Sequence, residues 1–131
     1  MKWHKFYMNM AKEFANMSQD PRLKVGAVIV TQEGILYPGF NGWERGGQNE
    51  PDSLEPGQSG TVHAEQNAIL KFNPTIHKDS KMYLTDSPCV VCARMIVNTQ
   101  AISEVYYQRE YRITKGLDIL RNSGIAVFKI D

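Results

Sequence analysis

Residues 104–130 read EVYYQREYRITKGLDILRNSGIAVFKI, and this stretch decides the fold. Glu104 to Gln108 is rich in β-branched and aromatic residues and predicts a strand. Lys115 to Asn122 predicts a helix closed by Gly124, and Ile125 to Ile130 predicts a final strand. A strand, a crossover helix and a second strand in one sheet make a right-handed unit, so these two strands are parallel neighbours.

Working outward, Cys89 to Thr99 predicts a helix, with Pro88 ahead of its first turn. Met82 to Thr85 predicts a short strand before it. Val62 to Phe72 predicts a further helix in which Ala64, Ala68, Ile69 and Phe72 can face a core. Val25 to Val30 is apolar on both faces, and Ile35 to Phe40, after a turn at Glu33-Gly34, predicts its antiparallel hairpin partner. At the N-terminus Trp3, Phe6, Tyr7, Met10, Phe14 and Met17 recur at helical steps until Asp20-Pro21 stops them. The expected architecture is α/β, a mixed five-stranded sheet with helices on both faces, in one domain spanning residues 1–131.

Composition narrows the function classes. The 131 residues are 42% apolar and 22% charged, as in a globular protein with a real core. Fifteen basic side chains nearly cancel fourteen acidic ones, which gives no sign of a nucleic-acid face, while a small anionic ligand fits. No segment approaches the roughly eighteen apolar residues that cross a bilayer, and the N-terminus does not read as a signal peptide. A cytoplasmic location follows, the host cytoplasm if the chain is phage-encoded. Cys89 and Cys92 are too few and too close for a disulfide scaffold, which leaves metal ligation or redox work.

Three short pieces carry the chemistry: His63-Ala64-Glu65, Pro88-Cys89, and Cys92. Zinc accepts one imidazole and two thiolates, and a catalytic zinc keeps a fourth position open, whereas a structural zinc takes four protein ligands. Only three obvious ligands exist here. Cys89 and Cys92, at i and i+3 in a first helical turn, share one direction and a dipole end that favours thiolates. Glu65, two residues past His63, can reach a zinc-bound hydroxide without ligating the metal and can carry its proton to a ring nitrogen and a departing amine. H-x-E followed by P-C-x-x-C is the signature of zinc nucleobase deaminases.

Further residues sharpen the comparison: Ser18-Gln19-Asp20-Pro21, Lys24-Val25-Gly26-Ala27-Val28-Ile29-Val30, Gly39-Phe40-Asn41-Gly42 and His63 to Leu70, with Pro88 to Ala93. Together they resemble the deoxycytidylate (dCMP) deaminases of the cytidine deaminase superfamily, from Ser18 to the C-terminus. The resemblance implies the three-layer αβα fold of that superfamily and hydrolysis of dCMP to dUMP and ammonia, which supplies dUMP for dTMP synthesis. It implies that Asn41 bonds the sugar, that the backbone around Ala64 and Ser87 reads the pyrimidine edge, and that Tyr111 helps hold the nucleotide. The segment Gly57 to Thr61, with Ser59 and Gly60, wraps sugar and phosphate in such enzymes.

The resemblance also implies a hexamer activated by dCTP and inhibited by dTTP, with Mg²⁺ accompanying the effector. The effector site falls near the Gly39 to Trp43 turn, with Phe40, Gly42, Trp43 and Asn67 as candidates and Lys24 and Arg45 for the triphosphate. The usual N-G-x-P is broken here, because Trp43 leads into Glu44. Trp43 is also an exposed-loop aromatic that could stack on a base. His4 and His77 lie outside ligand spacing and read as surface residues, and Met8, Met10 and Met17 as core or interface filler.

The rival readings are a tRNA adenosine deaminase, a free-base or nucleoside deaminase, a structural zinc or redox module, and a catalytically silent deaminase-like nucleotide-binding protein. Near-zero charge opposes the first, and the Asn41 context the second. His63 and Glu65 would be unexplained by redox work.

Overall fold

The computed structural model describes residues 2–131. The elements are α1 (Lys2–Ala15), β1 (Gly26–Val30), β2 (Leu36–Phe40), α2 (Ala64–Lys71), β3 (Ser80–Asp86), α3 (Val90–Thr99), β4 (Ile102–Arg109), α4 (Lys115–Asn122) and β5 (Ala126–Lys129). The five strands form one sheet in the order β2-β1-β3-β4-β5. β1 runs antiparallel to β2 and β3, while β3, β4 and β5 are parallel. The mixed sheet and both the hairpin and the parallel pair match the sequence expectation.

The helices fall on two sides because strand side chains alternate. Ala27, Ile29, Met82, Leu84, Val105 and Tyr107 point to one face and pack with Ala64 and Ala68 of α2, Ala93 and Ile96 of α3, and Leu117 and Leu120 of α4. Val28, Val30, Tyr83 and Tyr106 point to the other and pack with Met8 and Ala11 of α1. Three layers result.

Two glycines set how closely helices lie on the sheet. A Cβ on Gly26 would stand 1.8 Å from the Ala11 carbonyl oxygen, and one on Gly39 would stand 2.2 Å from the Ala64 carbonyl oxygen. That proximity corrects the expected face of α1. Met8, Ala11 and Ala15 are buried, whereas Trp3, Phe6 and Met17 are exposed. Against Gly26 only alanine fits, so the buried stripe is Met8, Ala11 and Ala15, with Tyr7, Met10 and Phe14 of the expected face packed beside it and Trp3, Phe6 and Met17 left outside. Met17 is therefore not core.

The two spare histidines also differ from expectation. His77 is buried and its Nε2 pairs with the Tyr37 hydroxyl at 3.0 Å; His4 is half-buried and its Nδ1 lies 2.6 Å from the Tyr83 hydroxyl. One ring nitrogen of each finds a tyrosine, while the buried His77 Nδ1 has no hydrogen-bond partner among the described residues and lies 3.4 Å from Glu33 Oε1. Val62 does not open α2 but makes an isolated bridge with Gly42, which ties down the long loop 41–60. Among the described residues, no helix is long and apolar enough to cross a membrane.

Candidate active site

The two helix N-termini meet as the sequence spacing requires. His63 is the N-cap of α2, where its backbone N–H donates to Gln66 Oε1 at 2.8 Å. Cys89 is the N-cap of α3, where its Sγ accepts from the Cys92 N–H at 3.4 Å. His63 Nδ1 lies 3.1 Å from Cys92 Sγ and 3.5 Å from Cys89 Sγ. The three ligand atoms all lie within 4.8 Å of one another.

Tetrahedral zinc with bonds of about 2.0 Å to nitrogen and 2.3 Å to sulfur needs donors roughly 3.5–3.8 Å apart, and one nitrogen with two sulfurs suits it. The cluster fits that ion. Its members already share protons unevenly. The hydrogen bond from Cys92, with help from His63, pulls the Cys89 thiol down to about 4. The same bond, with burial, raises Cys92, and the hydrogen bond to Cys89 raises His63. The hydrogen bonds at Cys89 thus favour its thiolate form, the form that ligates a metal.

Glu65 follows His63 by two residues and is buried, at 4% exposure. Burial pushes its carboxyl up to about 7, opposed by its own backbone N–H and by His63, while the Asp86 charge adds to the rise. A carboxyl poised there can both take and give a proton near neutral pH.

A cavity of about 410 Å³ opens over His63, Glu65 and Cys89. It is large enough for a mononucleotide-sized ligand.

The comparisons converge on this site. Residues 1–109 match the family model described as the cytidine and deoxycytidylate deaminase zinc-binding region. The chain belongs to that deaminase family. It is 34% identical to the human deoxycytidylate deaminase, over 84% of this chain and 66% of the human one. It is 32% identical to the yeast (Saccharomyces cerevisiae) deoxycytidylate deaminase, over 95% of this chain but only 44% of the yeast one, so it spans less than half of that relative. The crystal structure of dCMP deaminase from cyanophage S-TIM5, in complex with dCMP and dUMP, superposes with a TM-score of 0.87 at 36% identity, covering 98% of this chain and 97% of that one.

Within this zinc-dependent deaminase, every residue the sequence singled out for substrate lines the cavity: Asn41, Gly57, Ser59, Gly60, Thr61, Ala64, Ser87 and Tyr111. Asn41 has another task there. Its Oδ1 accepts from the Val25 N–H at 2.8 Å, and its Nδ2 donates to the Leu23 carbonyl at 2.8 Å and to Asp20 Oδ2 at 3.3 Å. The buried amide fastens residues 20–25 as one wall of the cavity. Ser87 Oγ accepts from the Tyr111 N–H at 2.7 Å and so fixes the segment after β4.

Arg22, Arg112 and Asp86 line the same cavity and were missed by sequence reasoning. Arg22 donates to the Leu54 carbonyl across the loop, and Arg112 lies over the Tyr111 ring at 5.1 Å. A scattered arginine in a loop carries no spacing signal; only the fold brings these two to one mouth.

The effector candidates do not gather in one place. Lys24 lines a second cleft of about 380 Å³ together with Lys12, Arg22, Gln108 and Arg109. Phe40, Gly42, Trp43 and Asn67 stay at the end of β2, where Asn67 Nδ2 donates to the Phe40 carbonyl at 2.8 Å. Trp43 is half-buried and its Nε1 donates to the Ser59 carbonyl at 2.8 Å, so it is a loop anchor rather than an exposed stacking platform. Arg45 is exposed, and its charge depresses Lys71 after burial has done so.

Proposed function

We propose that the single domain 1–131 hydrolyses dCMP to dUMP and ammonia. The observation that carries this reading is the convergence of His63, Cys89 and Cys92 beside buried Glu65, under a cavity whose mouth holds Arg22 and Arg112. The relatives named for deoxycytidylate deamination support the choice of base and sugar.

When bound by His63, Cys89 and Cys92, zinc would supply a water acidified to a pKa of roughly 7. Glu65 would accept one proton of that water and pass it to N3 of the cytosine ring, then carry the second, from the oxygen gained by C4, to the amine that departs. Water supplies the oxygen that C4 gains, and the C4–N bond breaks to release ammonia, so no other reactant is needed. His63 and the two cysteines hold position; Ala64 and Ser87 present backbone groups to the ring edge.

Arg22 and Arg112 support a nucleotide over a nucleoside, because two guanidiniums at a cavity mouth suit a phosphate. The left-handed backbone of Gly57 and Gly60, φ +77° and +80°, turns the loop around that mouth. A triphosphate effector such as dCTP or dTTP would find charge in the cleft lined by Lys12, Lys24 and Arg22. Exposed Trp3, Phe6 and Phe128 support an oligomer, for which the family resemblance favours a hexamer. The cytoplasm is the setting this reading implies, since both cysteines must stay reduced to hold zinc.

The experiment is ammonia release by the zinc-loaded protein from dCMP, CMP, deoxycytidine and cytosine, each with and without dCTP or dTTP and Mg²⁺. Turnover of dCMP, raised by dCTP and lowered by dTTP, supports the whole reading. Turnover of deoxycytidine equal to dCMP refutes the phosphate assignment.

A further inference from the structure

Trp43 stands one residue past the base of the long loop between β2 and α2. Gly42 and Val62 close that base with two backbone bonds, the Gly42 N–H to the Val62 carbonyl at 3.0 Å and the Val62 N–H to the Gly42 carbonyl at 2.7 Å. The half-buried indole reaches across the loop, and its Nε1 donates to the Ser59 carbonyl at 2.8 Å. The Asp52 N–H donates to the same carbonyl at 2.9 Å, so both lone pairs of that oxygen are taken. Gly60 and Thr61 are thereby held between two fixed points, directly ahead of His63.

The Ser59 carbonyl sets the direction of the next peptide group. That peptide is trans and planar, so its N–H points opposite its C=O. Trp43 and Asp52 are not among the residues lining the catalytic cavity, whereas Ser59, Gly60 and Thr61 are. The carbonyl is drawn away from the cavity lining, and the Gly60 N–H is turned the other way, where it finds no acceptor among the described residues. Gly60 itself has a left-handed backbone, φ +80°, with the Asp52 carboxylate 1.9 Å from where a Cβ would stand, so only glycine fits. A loop N–H left free in this way is a donor for an anion.

Resting on the reading that dCMP is the substrate, we propose that Trp43 is a positioning residue for its phosphate. By holding the Ser59 carbonyl, the indole aims the Gly60 N–H at a phosphate oxygen, in the cavity that Arg22 and Arg112 also line, and so adds to the preference for a nucleotide over a nucleoside. Trp43 acts through Ser59 and Gly60 and not on the reacting atoms. A hydrogen bond to a charged oxygen is worth roughly 10- to 100-fold in affinity when lost outright. Without the indole N–H the carbonyl keeps Asp52 as its one partner, so part of that factor is lost.

The test measures kcat and KM for dCMP and deoxycytidine, without added effector, in the wild type and in Trp43→Phe, which keeps an aromatic ring and removes the N–H. KM for dCMP is expected to rise by about 5- to 10-fold with kcat within about twofold, and kcat/KM for deoxycytidine to stay within about twofold. Trp43→benzothienylalanine, which keeps the bicyclic ring and exchanges only the N–H for sulfur, carries the same expectation and decides the matter if the phenylalanine variant fails to fold. Inhibition by dUMP against deoxyuridine reads the same ratio if deoxycytidine turns over too slowly to measure. An equal loss on dCMP and deoxycytidine overturns the proposal, because it makes Trp43 a prop for the fold alone. So does an unchanged KM for dCMP. A wild type that treats dCMP and deoxycytidine alike refutes instead the phosphate assignment beneath the proposal, which then falls with it.

Discussion

Gly39→Ala puts the seating of α2 on the sheet to a direct test. The new methyl would stand 2.2 Å from the Ala64 carbonyl oxygen and 2.5 Å from the Ala68 nitrogen, where ordinary contact begins near 3.4 Å. The helix must then withdraw by about 1 Å. Both obstructing atoms are backbone, so no side-chain rotation relieves the clash, and the cost belongs at the upper end for overpacking, about 3 kcal/mol. For a chain of this length that lowers Tm by about 10 °C. The same shift carries His63 and Glu65 away from Cys89 and Cys92, and a 1 Å misplacement at reacting groups costs roughly 10²-fold in rate. The assay is calorimetry with zinc saturating, beside a steady-state rate on dCMP. Gly42→Ala is the control for Tm, because its methyl meets nothing within 4 Å. A Gly39→Ala protein melting within about 2 °C of that control would refute the packing argument.

Glu65→Gln keeps the side chain's size but cannot exchange a proton, so kcat on dCMP should fall by roughly 10²- to 10⁴-fold while zinc content stays at the wild-type level; loss of zinc would instead place Glu65 in metal binding. Cys92→Ser should strip the metal, measured as zinc per chain by mass spectrometry, and full retention would remove Cys92 from the ligand set. Asn41→Ala deletes the bonds to Val25, Leu23 and Asp20 and should cost about 2–3 kcal/mol in urea unfolding, with faster proteolysis between residues 20 and 25; an unchanged midpoint would show that the wall stands without it.

The sheet was legible because its strands and helices carry strong local signals. The parallel pair follows from the single helix between β4 and β5, and the hairpin from Glu33-Gly34. The metal cluster was legible because spacing within a first helical turn fixes direction. The seating of α1 was not, since the choice between its bulky and its alanine stripe depends on Gly26, a residue outside the helix. Asp86 fell between the strand expected at Met82 to Thr85 and the Pro88-Cys89 motif, with no signal of its own; its partner, Arg109, is 23 positions away. Arg22 and Arg112 likewise acquire meaning only when the loops after α1 and β4 are brought to one mouth. The effector residues divided between two places because Lys24 lies ahead of β1, in a second cleft, whereas Phe40, Gly42 and Trp43 lie at and beyond the end of β2, next to Asn67 on α2.

The most direct test of the central claim is the oxygen source in the product. Zinc-loaded protein is incubated with dCMP in ¹⁸O-enriched water and the nucleotide is analysed by mass spectrometry. Hydrolysis at C4 by the residues around His63, Glu65, Cys89 and Cys92 predicts dUMP carrying one heavy oxygen on the base, with label incorporation falling to background in Glu65→Gln. Recovery of unchanged dCMP from the wild type, under conditions where zinc is bound, would contradict it.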